Sequence, residues 1–93
     1  MSTIFCVGIG GIGLSGLARI LHAEGHRVLG SDQAESSLIG ALRTEGIAIS
    51  VPHAGSNLPS DVDRVIYSLA IPDATPELVE ARHRGIPLQS YPE

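Results

Sequence analysis

A glycine-rich segment near the start of the chain is the feature that most restricts its fold. Gly8, Gly10 and Gly13 match the pattern G-x-G-x-x-G, which follows an apolar run from Ile4 to Val7 and precedes a segment with helical periodicity. This pattern is typical of the tight turn between a strand and a helix in α/β proteins that bind nucleotides. We expect the first glycine to form the turn, the second to admit a pyrophosphate, and the third to let the helix pack closely on the strand.

The same turn predicts an anion site built from backbone atoms. The amides from Gly11 to Gly13 would point outward from a helix N-terminus, where unpaired N–H groups and the helix dipole favour negative charge. Asp32 follows at about the spacing at which an acidic residue accepts hydrogen bonds from ribose hydroxyls. Two alternatives stay open at this point: the glycines could serve packing alone, and Asp32 could cap a turn.

A repeated transition from helix to strand indicates the fold class. Three times the chain closes a predicted helix with a glycine and enters a strand, at Gly25, Gly46 and Gly85. Right-handed crossovers then give a Rossmann-like parallel sheet of about five strands, in the order 3-2-1-4-5, with helices on both faces. The strands are expected at residues 4–7, 27–30, 47–51, 64–68 and 86–90, and the helices at 11–23, from 36 or 37 to 45, and 75–84. Residues 52–62 are expected to form a loop with at most one helical turn.

Apolar spacing predicts the buried faces of the helices. The first helix is expected to bury an apolar stripe that Ile20 widens, and the third to bury Val79 with its neighbours. Thr75 is expected to cap the third helix. Gly16 is unfavourable inside a helix by about 1 kcal/mol relative to alanine. We therefore expect it, with Ser15, to allow a close approach of the helix to the sheet or to a ligand.

Composition excludes several classes of function. A net charge of −4 argues against binding to nucleic acid, and the absence of lysine excludes a P-loop for ATP. The apolar runs are far shorter than the ~20 residues that span a bilayer, and no signal-peptide pattern is present, so we expect a cytoplasmic domain with no membrane partner. The single cysteine, Cys6, is expected to be buried and unreactive.

Ligands of such sheets bind beyond the carboxyl ends of the strands, at the point where the strand order reverses. Four segments are expected to meet there: residues 8–15, 31–32, 52–53 and 68–71. His53 could contact a base or sugar or be merely solvated, and Ser68 could donate to a phosphate or bond a neighbouring backbone group. His22, His26 and His83 are expected at the surface. No spacing of side chains indicates a catalytic group or a metal site.

Several motifs together resemble a known family. Residues 8–18, the triplet Gly30-Ser31-Asp32, residues 65–71 and the triplet Pro76-Glu77-Leu78 are similar to the N-terminal domain of the Mur ligases, and the resemblance covers nearly the whole chain. It implies a domain, residues 1–93, that binds UDP-N-acetylmuramate within an ATP-dependent ligase that adds L-alanine to this substrate in peptidoglycan synthesis. ATP and Mg²⁺ would bind a central domain outside this chain, and a C-terminal domain would help to hold alanine, so the chain alone is expected to be inactive.

The resemblance also implies roles for individual residues. The pyrophosphate would meet Gly10, Gly11, Ile12, Gly13 and Ser15. Asp32, beside Ser31, would bind the uridine, and His53 would lie near the uracil. Ser68, Ala70 and Ile71 would lie near the diphosphate and the sugar. The chain departs from the family at Pro52 and Leu69, where the family usually has glycine and serine.

A second function uses the same turn and the same acid. A free-standing regulatory module that binds NAD would also place a glycine turn and Asp32 at the carboxyl ends of its strands. The residues alone do not distinguish this module from the ligase domain.

Overall fold

The computed structural model describes Met1–Pro92 and contains five parallel strands in the order β3-β2-β1-β4-β5. The strands are β1 (Thr3–Val7), β2 (Arg27–Ser31), β3 (Ala48–Ser50), β4 (Arg64–Ser68) and β5 (Leu88–Tyr91). The helices are α1 (Ile12–Ala23), α2 (Ser37–Thr44) and α3 (Pro76–Arg84), and a short 3₁₀ turn spans Gly55–Asn57. The expected fold class and strand order are confirmed. Strand β3 is one residue shorter than expected at each end. Strand β5 begins two residues later and ends one residue later than expected.

Strand β1 lies at the centre of the sheet and separates two cores. It pairs with β2 on one side and with β4 on the other, so that Cys6 lies opposite both Gly30 and Ile66. Because side chains alternate along a strand, β1 contributes to both faces. One core contains Ile4, Cys6, Ile9, Leu14, Ala18, Leu21, Val28, Leu42, Ile47 and Ile66. The other contains Phe5, Val7, Leu58, Val62, Val65, Leu78 and Ala81. Helices α1 and α2 therefore cover one face and α3 covers the other.

Gly30, the glycine of β2, is closely packed against its neighbours. A Cβ atom there would lie 2.6 Å from Ile9 Cδ1 and 2.7 Å from the carbonyl oxygen of Cys6. At Gly16 a Cβ atom would meet nothing within 4 Å. The expectation that Gly16 lets α1 approach the sheet is therefore wrong. It is Gly30 that allows a close approach, of Ile9 in the turn to strand β2.

Two predicted core positions lie at the surface. Ile20 is 57% exposed and Val79 is 49% exposed, so both expectations are wrong. Helix α3 directs Leu78 and Ala81 into the core, which turns the intervening Val79 toward solvent because successive helical residues are about 100° apart. The fully buried neighbour of Leu78 is Glu77 instead.

The ends of the helices follow the expected signals with one exception. Ser36 caps α2, since its Oγ accepts a hydrogen bond from the Ile39 amide at 3.2 Å. Gly85 ends α3 in the left-handed conformation, with φ of 71°. Thr75 occupies the N-cap position of α3, but its hydroxyl donates to the Pro72 carbonyl at 2.7 Å and does not cap the helix.

The burial of Cys6 agrees with the prediction from the sequence, whereas the burial of the histidines agrees only in part. Cys6 is fully buried, and burial raises the pKa of its thiol to about 12. His83 is exposed, whereas His26 is partly buried and its Nδ1 accepts a hydrogen bond from the Ser2 amide at 3.0 Å. Within Met1–Pro92, none of the helices combines the length and the apolar character needed to cross a membrane.

Candidate functional site

The glycine turn connects β1 to α1 as the sequence predicts. Gly8 has a φ of 84°, which favours glycine because a side chain is strained there. The amides of Gly8 and Ile9 both donate to the carbonyl oxygen of Ser31, at 2.9 and 3.1 Å. Gly11 is the N-cap residue of α1, no side chain caps this end, and the first turn contains no acidic residue. The amide of Gly11 donates to the Gly8 carbonyl at 3.1 Å, so the amides beyond Gly11 are the ones that begin the helix without a side-chain cap.

Asp32 holds the turn together with its carboxylate. Oδ2 accepts a hydrogen bond from the Gly10 amide at 2.7 Å, and Oδ1 accepts one from the Gln33 amide at 2.7 Å. A Cβ atom at Gly10 would lie 2.6 Å from Oδ2, so the second glycine is needed for this contact as well as for any approach of a ligand. Because an ionised carboxylate offers about four lone-pair sites, Asp32 caps the turn and still has acceptor capacity for hydroxyl groups.

Two adjoining clefts open at the carboxyl ends of the strands. The histidine cleft, of about 440 Å³, is lined by Asp32, Gln33, His53, Ala70, Ile71, Pro72, Ala74, Thr75 and Pro76. The glycine cleft, of about 310 Å³, is lined by Gly8, Gly10, Gly11, Asp32, Ser36, Ser68, Ala70 and Ile71. Asp32, Ala70 and Ile71 border both clefts. All four segments expected at this edge of the sheet contribute to one cleft or the other.

Four of the predicted site residues do not line either cleft. Ile12 and Gly13 lie in the first turn of α1, where Ile12 is 89% exposed. Ser15 is buried, and its hydroxyl donates to the Ile12 carbonyl at 2.9 Å. Ser31 is fully buried beside His53.

The residues after β4 meet the glycine turn. Ser68 is buried, and its Oγ accepts a hydrogen bond from the Ala70 amide at 3.1 Å, which is the backbone alternative considered for this residue. A Cβ atom at Gly8 would lie 3.1 Å from Ile71 Cγ2. Leu69, where the family usually has serine, is 59% exposed.

A buried carboxylate for which the sequence predicted no role lies behind His53. Glu77 is fully buried, and its Oε2 accepts hydrogen bonds from the Ala54 amide at 3.1 Å and from Asn57 Nδ2 at 2.9 Å. Its Oε1 lies 3.1 Å from Nδ1 of His53, whose side chain is 9% exposed. The same Nδ1 lies 3.2 Å from Ser31 Oγ. His53 is thus held in place by buried groups and is not merely solvated.

The electrostatics of this group favour a charged Glu77. Burial opposes ionisation, but hydrogen bonds from Asn57, Ser31 and the Ala54 amide outweigh it and hold the pKa of Glu77 below its ordinary value. In the sequence, Glu77 belongs to the triplet that resembles the Mur ligases and directly follows the proline that begins a helix. That pattern normally indicates a solvated N-terminal turn, so it did not predict burial.

The arrangement does not form a catalytic triad. Ser31 and Glu77 both contact the same ring nitrogen of His53, whereas a triad places the hydroxyl and the carboxylate on opposite nitrogens. Among residues 1–92, no three His, Cys, Asp or Glu side chains are grouped closely enough to hold a metal ion. The two clefts are bordered instead by the glycine turn, Asp32 and His53.

The fold and the two clefts together define a class of protein: Rossmann-like α/β domains, which bind ligands at the carboxyl ends of parallel strands. The chain belongs to the Mur ligase family, whose model, described as the catalytic domain, matches residues 3–93.

Relatives and solved structures agree with this assignment. A UDP-N-acetylmuramate–L-alanine ligase of Carboxydothermus hydrogenoformans is 48% identical over 88 residues, which cover 95% of this chain and 19% of the relative. The enzyme of that name from Clostridium novyi is 54% identical over 80 residues, which cover 86% of this chain and 17% of the relative. The crystal structure of the UDP-N-acetylmuramate-alanine ligase MurC from Thermotoga maritima matches with a TM-score of 0.92 and 39% identity, over 97% of this chain and 21% of that chain.

A more distant structure shares the same fold. The UDP-N-acetylmuramate:L-alanyl-gamma-D-glutamyl-meso-diaminopimelate ligase of Neisseria meningitidis matches with a TM-score of 0.84 and 26% identity, over 97% of this chain and 28% of that chain. This chain therefore spans about a fifth of the length of the alanine ligases that it matches. The alternative of a free-standing module that binds NAD receives no support from these comparisons.

Proposed function

We propose that this chain is the N-terminal, UDP-N-acetylmuramate-binding domain of an ATP-dependent ligase that adds L-alanine to this substrate in peptidoglycan synthesis. The relatives with 48% and 54% identity carry the name of that enzyme. The observation that carries the proposal is the arrangement of the two clefts on either side of Asp32. This order matches the order of base, ribose and diphosphate in a nucleoside diphosphate.

The histidine cleft suits the base. Its volume of about 440 Å³ lies within the usual range for small-molecule sites, and apolar side chains from Ile71, Pro72 and Pro76 form part of its wall. His53 supplies a polar group at this end. A uracil ring fits such a mixture of apolar surface and a small number of fixed polar groups.

The glycine cleft suits the diphosphate. It is lined by the turn residues Gly8, Gly10 and Gly11, next to the amino end of α1, and no lysine or arginine lines it. The amides of Gly8, Gly10 and Gly11 already donate within the protein, so the helix dipole and the amides of Ile12 and Gly13 in the first turn of α1 would hold the negative charge. Asp32, which borders both clefts, is in position to accept hydrogen bonds from the ribose hydroxyls between them.

The remaining steps of the reaction are proposed for parts of the ligase outside this chain. The sequence has no lysine with which to build a P-loop, and the described residues offer no cluster of metal ligands, so these residues do not fit ATP and Mg²⁺. Because ATP and UDP-sugars are cytoplasmic metabolites, the proposal also places the protein in the cytoplasm.

Titration with UDP and with UDP-N-acetylmuramate, followed by amide chemical shifts, tests this proposal. We expect shifts at residues 10–15, 31–32 and 53, with a Kd between high micromolar and about 1 mM, which corresponds to roughly −4.1 kcal/mol. Asp32→Asn should weaken both ligands. Asp63→Asn is the matched control, since Asp63 binds the Thr3 amide at the opposite end of the sheet. The proposal is wrong if NAD shifts the same amides at a tenfold lower concentration than UDP-N-acetylmuramate.

A further inference from the structure

The contact between Glu77 and His53 determines which ring nitrogen carries a proton. A charged carboxylate only accepts hydrogen bonds, and no donor among the described residues is well aligned on Oε1 of Glu77, although the nearby Ser31 hydroxyl stabilises its charge. Its near neighbour is Nδ1 of His53, at 3.1 Å. An unprotonated Nδ1 would place its lone pair against those of Oε1 in a buried site, and only the Ser31 hydroxyl could relieve this, which would then no longer stabilise the charge of Glu77. The proton therefore lies on Nδ1, 3.2 Å from the Oγ of Ser31 that accepts it and 3.1 Å from Oε1 of Glu77.

The second ring nitrogen of His53 remains for a ligand. Nε2 lies on the far side of the ring from Nδ1 and has no partner within the described part of the chain. His53 lines the histidine cleft. In the neutral ring with a protonated Nδ1, Nε2 is an acceptor, so a ligand in this cleft must offer an N–H or O–H group to bond with it.

We propose that Glu77 is a positioning residue that fixes His53 as the Nδ1-protonated tautomer and thereby makes the cleft select a base with an N–H donor. The imide N3–H of uracil is such a donor. In cytosine the ring nitrogen N3 only accepts and the donor is the exocyclic amine, so the selection applies with N3 of the base facing Nε2. This inference rests on the proposed function, because it requires the base to occupy the histidine cleft. It adds to that function a residue, Glu77, that recognises the base without touching it.

The other contacts of Glu77 explain why this residue can hold the ring. Its Oε2 is tied to the Ala54 amide and to Asn57, which are the residue after His53 and the end of the 3₁₀ turn. The carboxylate thus joins the first turn of α3 to the loop that carries His53. Neither oxygen can turn away without breaking two hydrogen bonds, so the tautomer is set by a rigid neighbour.

The substitution Glu77→Gln converts this arrangement into its opposite. The amide oxygen can still accept from Ala54 and Asn57, which leaves the amide NH₂ facing Nδ1 of His53. An NH₂ group donates, so Nδ1 must lose its proton and Nε2 must gain one. Glu80→Gln is the matched control, because Glu80 lies on the same helix with its side chain 32% exposed and paired with Arg84.

The tautomer can be measured in the free protein by long-range ¹H–¹⁵N spectra of the histidine ring, at a pH where the ring is neutral. We expect a protonated Nδ1 in the wild type and in Glu80→Gln, and a protonated Nε2 in Glu77→Gln. A protonated Nε2 in the wild type overturns the positioning role without any variant being needed. So does an unchanged tautomer in a Glu77→Gln protein whose thermal unfolding remains cooperative.

Binding of UDP and CDP tests the selection of the base. We expect the wild type to bind UDP at least about tenfold more tightly than CDP, as one unpaired buried polar group requires. The ratio should fall to about one or reverse in Glu77→Gln and stay unchanged in Glu80→Gln. Equal affinity of the wild type for UDP and CDP overturns the selection. If the wild type binds neither nucleotide, the proposed function fails, and the tautomer spectra still decide the role of Glu77.

Discussion

The glycine cleft and the histidine cleft lie side by side but differ in the groups that form them, backbone in one and side chains in the other. In the glycine cleft three glycines contribute backbone to the lining, placed by a turn of a few consecutive residues and fixed by the Asp32 carboxylate. In the histidine cleft the polar group is a side chain, held by Ser31 from β2 and by Glu77 from α3. One cleft depends on the path of the backbone, and the other depends on the protonation of buried side chains.

This difference implies different sensitivities to mutation and to pH. The backbone of the glycine turn carries no titrating group, although Asp32 fixes it, and the turn fails when a side chain is added where two segments touch. A buried side-chain network is more sensitive to a change of charge than to a small change of shape. Each buried polar group left without a partner costs its desolvation free energy. The clefts share Asp32, Ala70 and Ile71, so a substitution in one cleft can also change the structure of the other.

The largest effect is expected on the backbone side, from Gly30→Ala. The new Cβ would lie 2.7 Å from the carbonyl oxygen of Cys6, which cannot rotate away, and 2.6 Å from Ile9 Cδ1. We expect the free energy of unfolding to fall by about 3 kcal/mol in urea titrations. In the control Gly16→Ala, which meets nothing within 4 Å, it should rise by about 0.5–1 kcal/mol. Similar stabilities for the two variants would contradict the packing described here.

A smaller effect is expected on the side-chain side, from Glu77→Ala. The Ala54 amide and Asn57 would lose their buried acceptor, and we expect a loss of about 2 kcal/mol in the free energy of unfolding. Glu80→Ala removes only a more exposed pair with Arg84 and should change it by less than about 0.5 kcal/mol. If Glu77→Ala also shifts the amide signals of Gly8 and Gly10, the two clefts are coupled and do not form independent sites.

The smallest effect is expected from acid. Because the pKa of Glu77 is lower in the folded protein than its ordinary value of 4.5, its contribution to stability is present above pH 4.5 and is lost as the pH falls through the folded value. Thermal unfolding of Glu77→Gln below about pH 5 should therefore depend less steeply on pH than that of the wild type. High salt should be present, since it screens the exposed pairs of Glu35 and Glu45 with arginine, which also lower carboxyl pKa values. Equal slopes would show that folding does not lower the pKa of Glu77.

The sequence predicted the backbone side well because its determinants are local. The turn at Gly8, the N-cap at Ser36, the left-handed end of α3 at Gly85 and the strand order all follow from short patterns of glycine, serine and apolar residues. Asp32 was placed correctly for the same reason, although the structure shows that it caps the turn and borders the clefts at once. Whether the candidate residues bind a ligand stays a prediction.

The features that the sequence did not predict depend on contacts between distant segments. Glu77 is buried because the loop that carries His53 packs against the start of α3, and no spacing within either segment reveals this. The need for glycine at position 30 arises from β1 and Ile9. Val79 was misplaced because α3 has only nine residues, too few for its apolar periodicity to decide between adjacent faces.

Because Cys6 is buried, the rate at which its thiol is labelled can report how often the core around it opens. Only the thiolate reacts with alkylating reagents, and with a pKa of about 12 roughly one thiol in ten thousand is ionised at pH 8. The side chain lies in the core between the sheet and helices α1 and α2 and has no exposed surface, so a reagent reaches it only after this core has opened. The labelling rate of the unaltered protein therefore reports how often this core opens, and bound ligand should lower that rate in proportion to the fraction of protein that is occupied.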